Sequence, residues 1–79
     1  MRKEVVLITG ANGEIGHGLI TYLGQQGHCR IVALDVQPLD DTLRPYVDRY
    51  IQGDILAQML LGRLVAEFDI RSIYHLASI

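Results

Sequence analysis

Residues Thr9 to Gly16 read Thr-Gly-Ala-Asn-Gly-Glu-Ile-Gly, and their three glycines follow directly on the apolar run Val5-Val6-Leu7-Ile8. A strand that turns through glycines into a helix aims backbone N–H groups, and the positive end of the helix dipole, at whatever lies above the turn. The pyrophosphate of a dinucleotide is the ligand that such a cradle suits. Gly10 would permit the tight turn, Gly13 would admit the phosphates without a Cβ in the way, and Gly16 would let the helix pack close to the strand. A glycine triplet alone is a weak signal, and this spacing is not the usual G-x-G-x-x-G.

Its context adds the weight. Asp35 ends a second apolar run, Ile31-Val32-Ala33-Leu34, at the place where a ribose-binding acid belongs. A carboxylate there can accept from both adenosine ribose hydroxyls and would repel the 2′-phosphate that distinguishes NADP, so the expected cofactor is NAD. Val36 follows the acid, and no Arg or Lys lies between Thr9 and Gln26 to neutralise a phosphate. A plainer role for Asp35, as a turn former at a strand end, stands beside this one.

Strands and helices alternate around these residues, which predicts a parallel sheet with helical crossovers. The first strand is expected at Glu4 to Thr9. Ile15, Leu19, Ile20 and Leu23 then share one helical face, and Gly27 is placed to end that helix. The second strand is expected at Arg30 to Asp35 and the third at Arg49 to Gln52. Between them, Pro38, Pro45 and Asp40-Asp41 predict a loop over Gln37 to Val47 with at most a turn of helix. Asp54 stands at an N-cap position before the stripe Leu56, Leu60, Leu61, Leu64, Val65 and Phe68, and Ser72 to Leu76 reads as a fourth strand. Right-handed crossovers give the order 3-2-1-4, with the two helices on opposite faces and a crevice between strands one and four. The glycine turn, Asp35 and the Leu76-Ala77-Ser78 end of strand four would meet there.

Composition narrows the function classes. The 79 residues are 49% hydrophobic and 20% charged, with a formal net charge of −2, as in ordinary soluble domains. The 7 basic residues are scattered, so the footprint of a nucleic-acid binder is missing. No apolar stretch has the length of a membrane span or the form of a signal peptide, and a cytoplasmic location is expected. The single Cys29 cannot form an internal disulfide, no Cys or His neighbour stands at metal-ligand spacing, and it reads as a small buried hydrophobe. A chain this short buries only roughly 60% of the surface it exposes when unfolded.

Three segments together resemble the extended short-chain dehydrogenase/reductases, the family of NAD-dependent nucleotide-sugar epimerases and dehydratases. Thr9-Gly10-Ala11-Asn12-Gly13-Glu14-Ile15-Gly16 is similar to its T-G-x-x-G-x-x-G turn, Gly53-Asp54-Ile55 to its G-D-hydrophobic element, and Tyr74-His75-Leu76-Ala77-Ser78 to its H-L-A-A segment, with Ser78 in place of the second alanine. The resemblance implies an α/β Rossmann-type parallel sheet and NAD as cofactor. It implies that backbone groups of Glu14 and Ile15 hold the pyrophosphate and that Asp35 binds the adenosine ribose. Asp54 would accept from the adenine amino group with Ile55 beside it, and Leu76 and Ala77 would line the ribose and phosphates. Asp54 also reads simply as a helix cap, His75 as a strand residue, and His17 and His28 as helix-surface and helix-end residues.

The family's proton transfer needs a Tyr-x-x-x-Lys pair, in which the lysine lowers the tyrosine pKa. The sole lysine, Lys3, precedes all four tyrosines, so neither a catalytic residue nor a metal site is assigned. The expectation is that residues 1–79 are the amino-terminal part of an NAD-binding Rossmann domain, with no complete second domain and no turnover of their own. An apolar outer edge of strand four, at Ile73 and Leu76, predicts self-association. Three functions stay open for the parent protein. The first is a nucleotide-sugar epimerase or dehydratase. The second is a dehydrogenase of a small alcohol, because Ile73 to Ile79 also resembles the threonine dehydrogenase branch. The third is a noncatalytic dinucleotide-binding regulatory module.

Overall fold

β-Branched and leucine side chains in unbroken runs suit strands covered on both faces, and the chain uses them that way. In the computed structural model, which describes residues 4–54 and 58–76, the elements are β1 (Glu4–Thr9), α1 (Glu14–Gln26), β2 (Cys29–Asp35), a 3₁₀ helix (Asp41–Tyr46), β3 (Arg49–Gln52), α2 (Gln58–Glu67) and β4 (Ile70–His75). The four strands form one parallel sheet in the order β3-β2-β1-β4. This is the Rossmann-type α/β arrangement expected from the sequence.

The two faces of the sheet carry separate cores. On one, Val6, Ile8, Ile31 and Ala33 pack with Ile20 of α1 and with Leu39 and Leu43 around the 3₁₀ helix. On the other, Val5, Leu7, Val32 and Leu34 pack with Leu64 of α2, and Phe68 and Ile70 close the margin. The alternation along β1 and β2 is the two-residue period of a strand, with each residue type apolar because neither face meets water.

Several boundaries differ from expectation. β2 starts one residue earlier, at Cys29, which is half-buried against the core rather than fully enclosed. The segment after β2 holds a six-residue 3₁₀ helix, more than a single turn, with Asp40 capping it by accepting from the Thr42 N–H at 2.9 Å. Leu43 is fully buried beneath it, and that anchor orders a stretch whose prolines and acids read as loop. β4 begins two residues earlier than expected and ends at His75, although the Leu76 N–H still bonds the Thr9 carbonyl at 3.0 Å. α1 ends at Gly27 in the left-handed conformation (φ 69°), as expected.

Ile15 departs from its expected face. It is 72% exposed, whereas Ile20 is buried and Leu19 and Leu23 pack on the core. β1 has already ended at Thr9, so the first turn of α1 overhangs the sheet and Ile15 has no strand beneath it. In α2, Leu64 is buried and Phe68 partly so, whereas the expected stripe positions Leu56, Leu60, Leu61 and Val65 lie outside the described side chains.

Candidate functional site

The chain leaves β1 through Gly10, whose φ of 70° lies in the left-handed region that a side chain disfavours. The N–H groups of Gly10 and Ala11 bond the Leu34 carbonyl of β2 at 2.9 and 3.3 Å, and the Gly13 N–H closes the turn on the Gly10 carbonyl at 3.1 Å. A Cβ on Gly13 would stand 3.3 Å from the Gly10 oxygen, and one on Gly16 would stand 2.6 Å from it and 2.7 Å from the Ala11 oxygen. Gly16 is therefore the close contact between helix and turn, and Gly13 lies exposed above it.

The residue before α1 is Gly13, which has no side chain with which to cap the helix. The His17 N–H takes the Gly13 carbonyl at 2.9 Å, so the helix bonds begin there. The exposed first-turn residues Glu14 and Ile15 lie where helix N–H groups and the helix dipole favour a negative ligand.

Asp35 joins this turn directly. Its Oδ2 accepts from the Asn12 N–H at 2.9 Å and its Oδ1 from the Gln37 N–H at 3.1 Å. The first bond connects the acid to the glycine turn; the second makes it a turn former at the end of β2, so both expected roles are compatible. A carboxylate has about four acceptor positions, which leaves capacity for two hydroxyls. Val36 beside it is 59% exposed, with its carbonyl accepting from the Gln52 amide at 3.3 Å.

The other expected residues gather at the same ends of the strands. The Gly53 N–H bonds the Asp35 carbonyl at 2.8 Å, which sets exposed Asp54 one residue beyond the tip of β2. Leu76 is joined to Thr9, and the Thr9 hydroxyl lies 2.8 Å from His75 Nδ1, so β1 and β4 are tied by both backbone and side chains at their carboxyl ends. Ile55, Ala77 and Ser78 lie outside the described residues, as does the turn in which Asp54 would cap α2.

The family model for the NAD dependent epimerase/dehydratase family matches residues 6–79. The chain belongs to that family. It is 34% identical over 77 residues to short-chain dehydrogenase/reductase family 42E member 1 of Macaca fascicularis, covering 98% of this chain and 19% of the relative. Thus it spans about a fifth of the length of the curated relatives it matches. Among solved structures, MoeE5 in complex with UDP-glucuronic acid and NAD is 38% identical with a TM-score of 0.71, over 94% of this chain and 22% of that one. The dTDP-glucose 4,6-dehydratase of Bacillus anthracis, in complex with NAD, has a TM-score of 0.81 at 22% identity, over 96% of this chain and 27% of that one, and shows the shared fold.

In this epimerase/dehydratase family member, a residue outside the expected set proves central. Asn12 accepts the Asp40 N–H on Oδ1 at 3.0 Å and donates from Nδ2 to the Pro38 carbonyl, besides its backbone bond to Asp35. The sequence signal was an asparagine next to a turn glycine, a common pairing that does not reveal a partner 26 residues away. His17, expected on the helix surface, contacts Thr42. The single Thr42 hydroxyl proton goes to Asp40 Oδ1 at 2.8 Å, so Thr42 accepts from His17 Nε2–H at 2.9 Å. The Thr42 N–H and hydroxyl together hold the Asp40 carboxyl below its ordinary range.

At the opposite, amino ends of the strands, a concavity is lined by Glu4, Arg30, Glu67, Phe68 and Arg71. Its charges are mixed and its walls include no residue of the glycine turn. Among the described residues no three His, Cys, Asp or Glu side chains gather as a metal site, and no helix is long and apolar enough to cross a membrane.

Proposed function

We propose that this chain binds NAD as part of a nucleotide-sugar epimerase or dehydratase. The observation that carries the reading is the 2.9 Å bond from the Asn12 N–H to Asp35, which joins the glycine turn to the strand-end acid at the carboxyl ends of adjacent strands. The turn is also open to solvent at Gly13, which is exposed.

On this reading the N–H groups of Glu14 and Ile15 hold the pyrophosphate over Gly10, Gly13 and Gly16. Asp35 would accept from the adenosine ribose with Val36 beside it, Asp54 would meet the adenine and Leu76 the ribose and phosphates, and the family resemblance implies such contacts for Ile55, Ala77 and Ser78 as well. NAD supplies reversible hydride acceptance, which transiently oxidises a sugar carbon and makes inversion or elimination at its neighbours easy. The chain's own part is to bind and orient: a backbone cradle holds the diphosphate by dipole and hydrogen bonds, and a fixed carboxylate selects a ribose without a 2′-phosphate. No Tyr-x-x-x-Lys pair occurs among these 79 residues, so no proton transfer is assigned to any of them.

The nucleotide-sugar substrate is supported by MoeE5, whose structure contains UDP-glucuronic acid with NAD and which shares 38% identity. No observation favours the small-alcohol dehydrogenase or the regulatory module over this reading. Isothermal titration of NAD and NADP into the full-length protein tests it. NAD binding well ahead of NADP is expected; absence of binding would mean that the fold serves structure or partners instead.

A further inference from the structure

One residue of the glycine turn reaches the last residue of β2 and two points on the segment that follows it. The Asn12 backbone N–H holds Asp35 Oδ2 at 2.9 Å, its Oδ1 takes the Asp40 N–H at 3.0 Å, and its Nδ2 donates to the Pro38 carbonyl. The segment between Asp35 and Asp40 is anchored elsewhere as well. Leu39 is buried in the core, the Tyr50 hydroxyl donates to the Gln37 carbonyl, and the Gln52 amide reaches the Val36 carbonyl. The strand side thus holds Val36 and Gln37, and among the described residues Asn12 joins Pro38 and Asp40 to the glycine turn through its side chain.

We infer that Asn12 is a positioning residue that straps residues 36–40 over the glycine turn, fixes the Asp35 carboxylate, and thereby enforces selection of an adenosine ribose without a 2′-phosphate. The inference rests on the proposed NAD site. Its chemistry follows from the lone pairs of Asp35: each carboxylate oxygen already accepts one N–H, so ribose hydroxyls must approach along the remaining directions. The strap keeps the neighbouring backbone from swinging aside, and its residues Val36, Gln37, Pro38, Leu39 and Asp40 include no cation. A phosphate on the ribose would meet the Asp35 charge with nothing in the strap to neutralise it.

The amide of Asn12 is suited to this by composition. One end donates and the other accepts, and both ends are used on backbone groups. Asn12→Asp preserves size but sets an acceptor against the Pro38 carbonyl; Asn12→Ala deletes both bonds and leaves the backbone N–H in place. Neither change removes a group placed on the pyrophosphate.

Two readouts on the full-length protein decide the matter. The first, without cofactor, is amide hydrogen exchange at Asp40, with Leu43 as reference because its N–H bonds the Asp40 carbonyl rather than Asn12. Asn12→Ala and Asn12→Asp should accelerate exchange at Asp40 more than at Leu43; unchanged exchange at Asp40 in both variants overturns the strap. The second is the ratio of NAD to NADP affinity in the unsubstituted protein, N12A, N12D, D35A and the double variant N12A/D35A. The preference for NAD should fall about five- to tenfold in N12A and N12D, the scale of one lost hydrogen bond. The double variant should match D35A, because Asn12 acts through the acid. Additive losses, or an unchanged ratio with normal NAD binding, overturn the inference and leave the proposed function standing. Failure of the unsubstituted protein to bind either dinucleotide overturns the proposed function and the selectivity claim together, while Asp40 exchange still reports the strap.

Discussion

The carbonyl oxygen of Gly10 lies so near Gly16 that a Cβ on the latter would stand only 2.6 Å from it. The obstacle is backbone on both sides, with the Ala11 oxygen at 2.7 Å, so no side-chain rotation relieves it. Gly16→Ala must push α1 away from the turn, and it should cost about 1–3 kcal/mol, the usual scale of overpacking. Chemical denaturation of the variant checks this. An unchanged midpoint would mean that the turn and helix are not in contact as described.

Two residues along the same helix the outcome reverses. A Cβ on Gly18 meets no atom within 4 Å, and the position is exposed. Gly18→Ala should therefore stabilise the chain by roughly 0.5–1 kcal/mol through a lower conformational entropy of the unfolded state. Thermal unfolding of the two alanine variants side by side should move in opposite directions.

Asp35 has two backbone donors and, on the proposed reading, two ribose hydroxyls. Asp35→Ala should weaken NAD binding by on the order of 1–3 kcal/mol and relax discrimination against NADP. Titration calorimetry with both dinucleotides measures it. Equal losses for the two would show that the acid holds the loop and does not select the ribose.

Tyr50 faces the back of the same loop. Burial first, and the Asp35 charge second, hold its phenol pKa above the ordinary 10.0. Because the folded value is raised, the contribution is fully present below the unfolded pKa and is lost as pH rises through the folded one. Phenolate absorbance of the protein minus that of Tyr50→Phe should show a titration above 10.0. Asp35→Asn should lower it without restoring the ordinary value, since burial is the larger cause. A Tyr50 titration at or below the ordinary value would contradict the packing around the loop.

β4 is the end strand of the sheet among the described residues, with Ile73 54% and Tyr74 42% exposed. An apolar edge is a template for pairing with another strand. The 79-residue chain should self-associate, and Ile73→Lys should reduce this by adding charge to the edge. Sedimentation velocity over a range of concentrations would show it; a monomer at all concentrations before substitution would refute it.

The parts that lay open in the sequence are those set by local chemistry. An apolar run closed by glycine located β1, and alternation of strand and helix, with β3 as a short strand after the proline-bearing segment, dictated the 3-2-1-4 order because a right-handed crossover admits few alternatives. Glycine spacing named the turn, since glycine best suits the φ of 70° at Gly10 and no Cβ fits the backbone contact at Gly16. Tertiary structure decided what depends on distant partners. Ile15 fits a helical stripe by spacing, yet the sheet stops before reaching it, so it stays exposed. The residues after β2 read as loop, and burial of Leu43 with the Asp40 cap orders them as a 3₁₀ helix. Asn12 looked like an ordinary turn residue, because a hydrogen bond to a backbone group 28 positions away leaves no periodicity in the chain; only the folding of β2 beside β1 brings Asp40 within its reach.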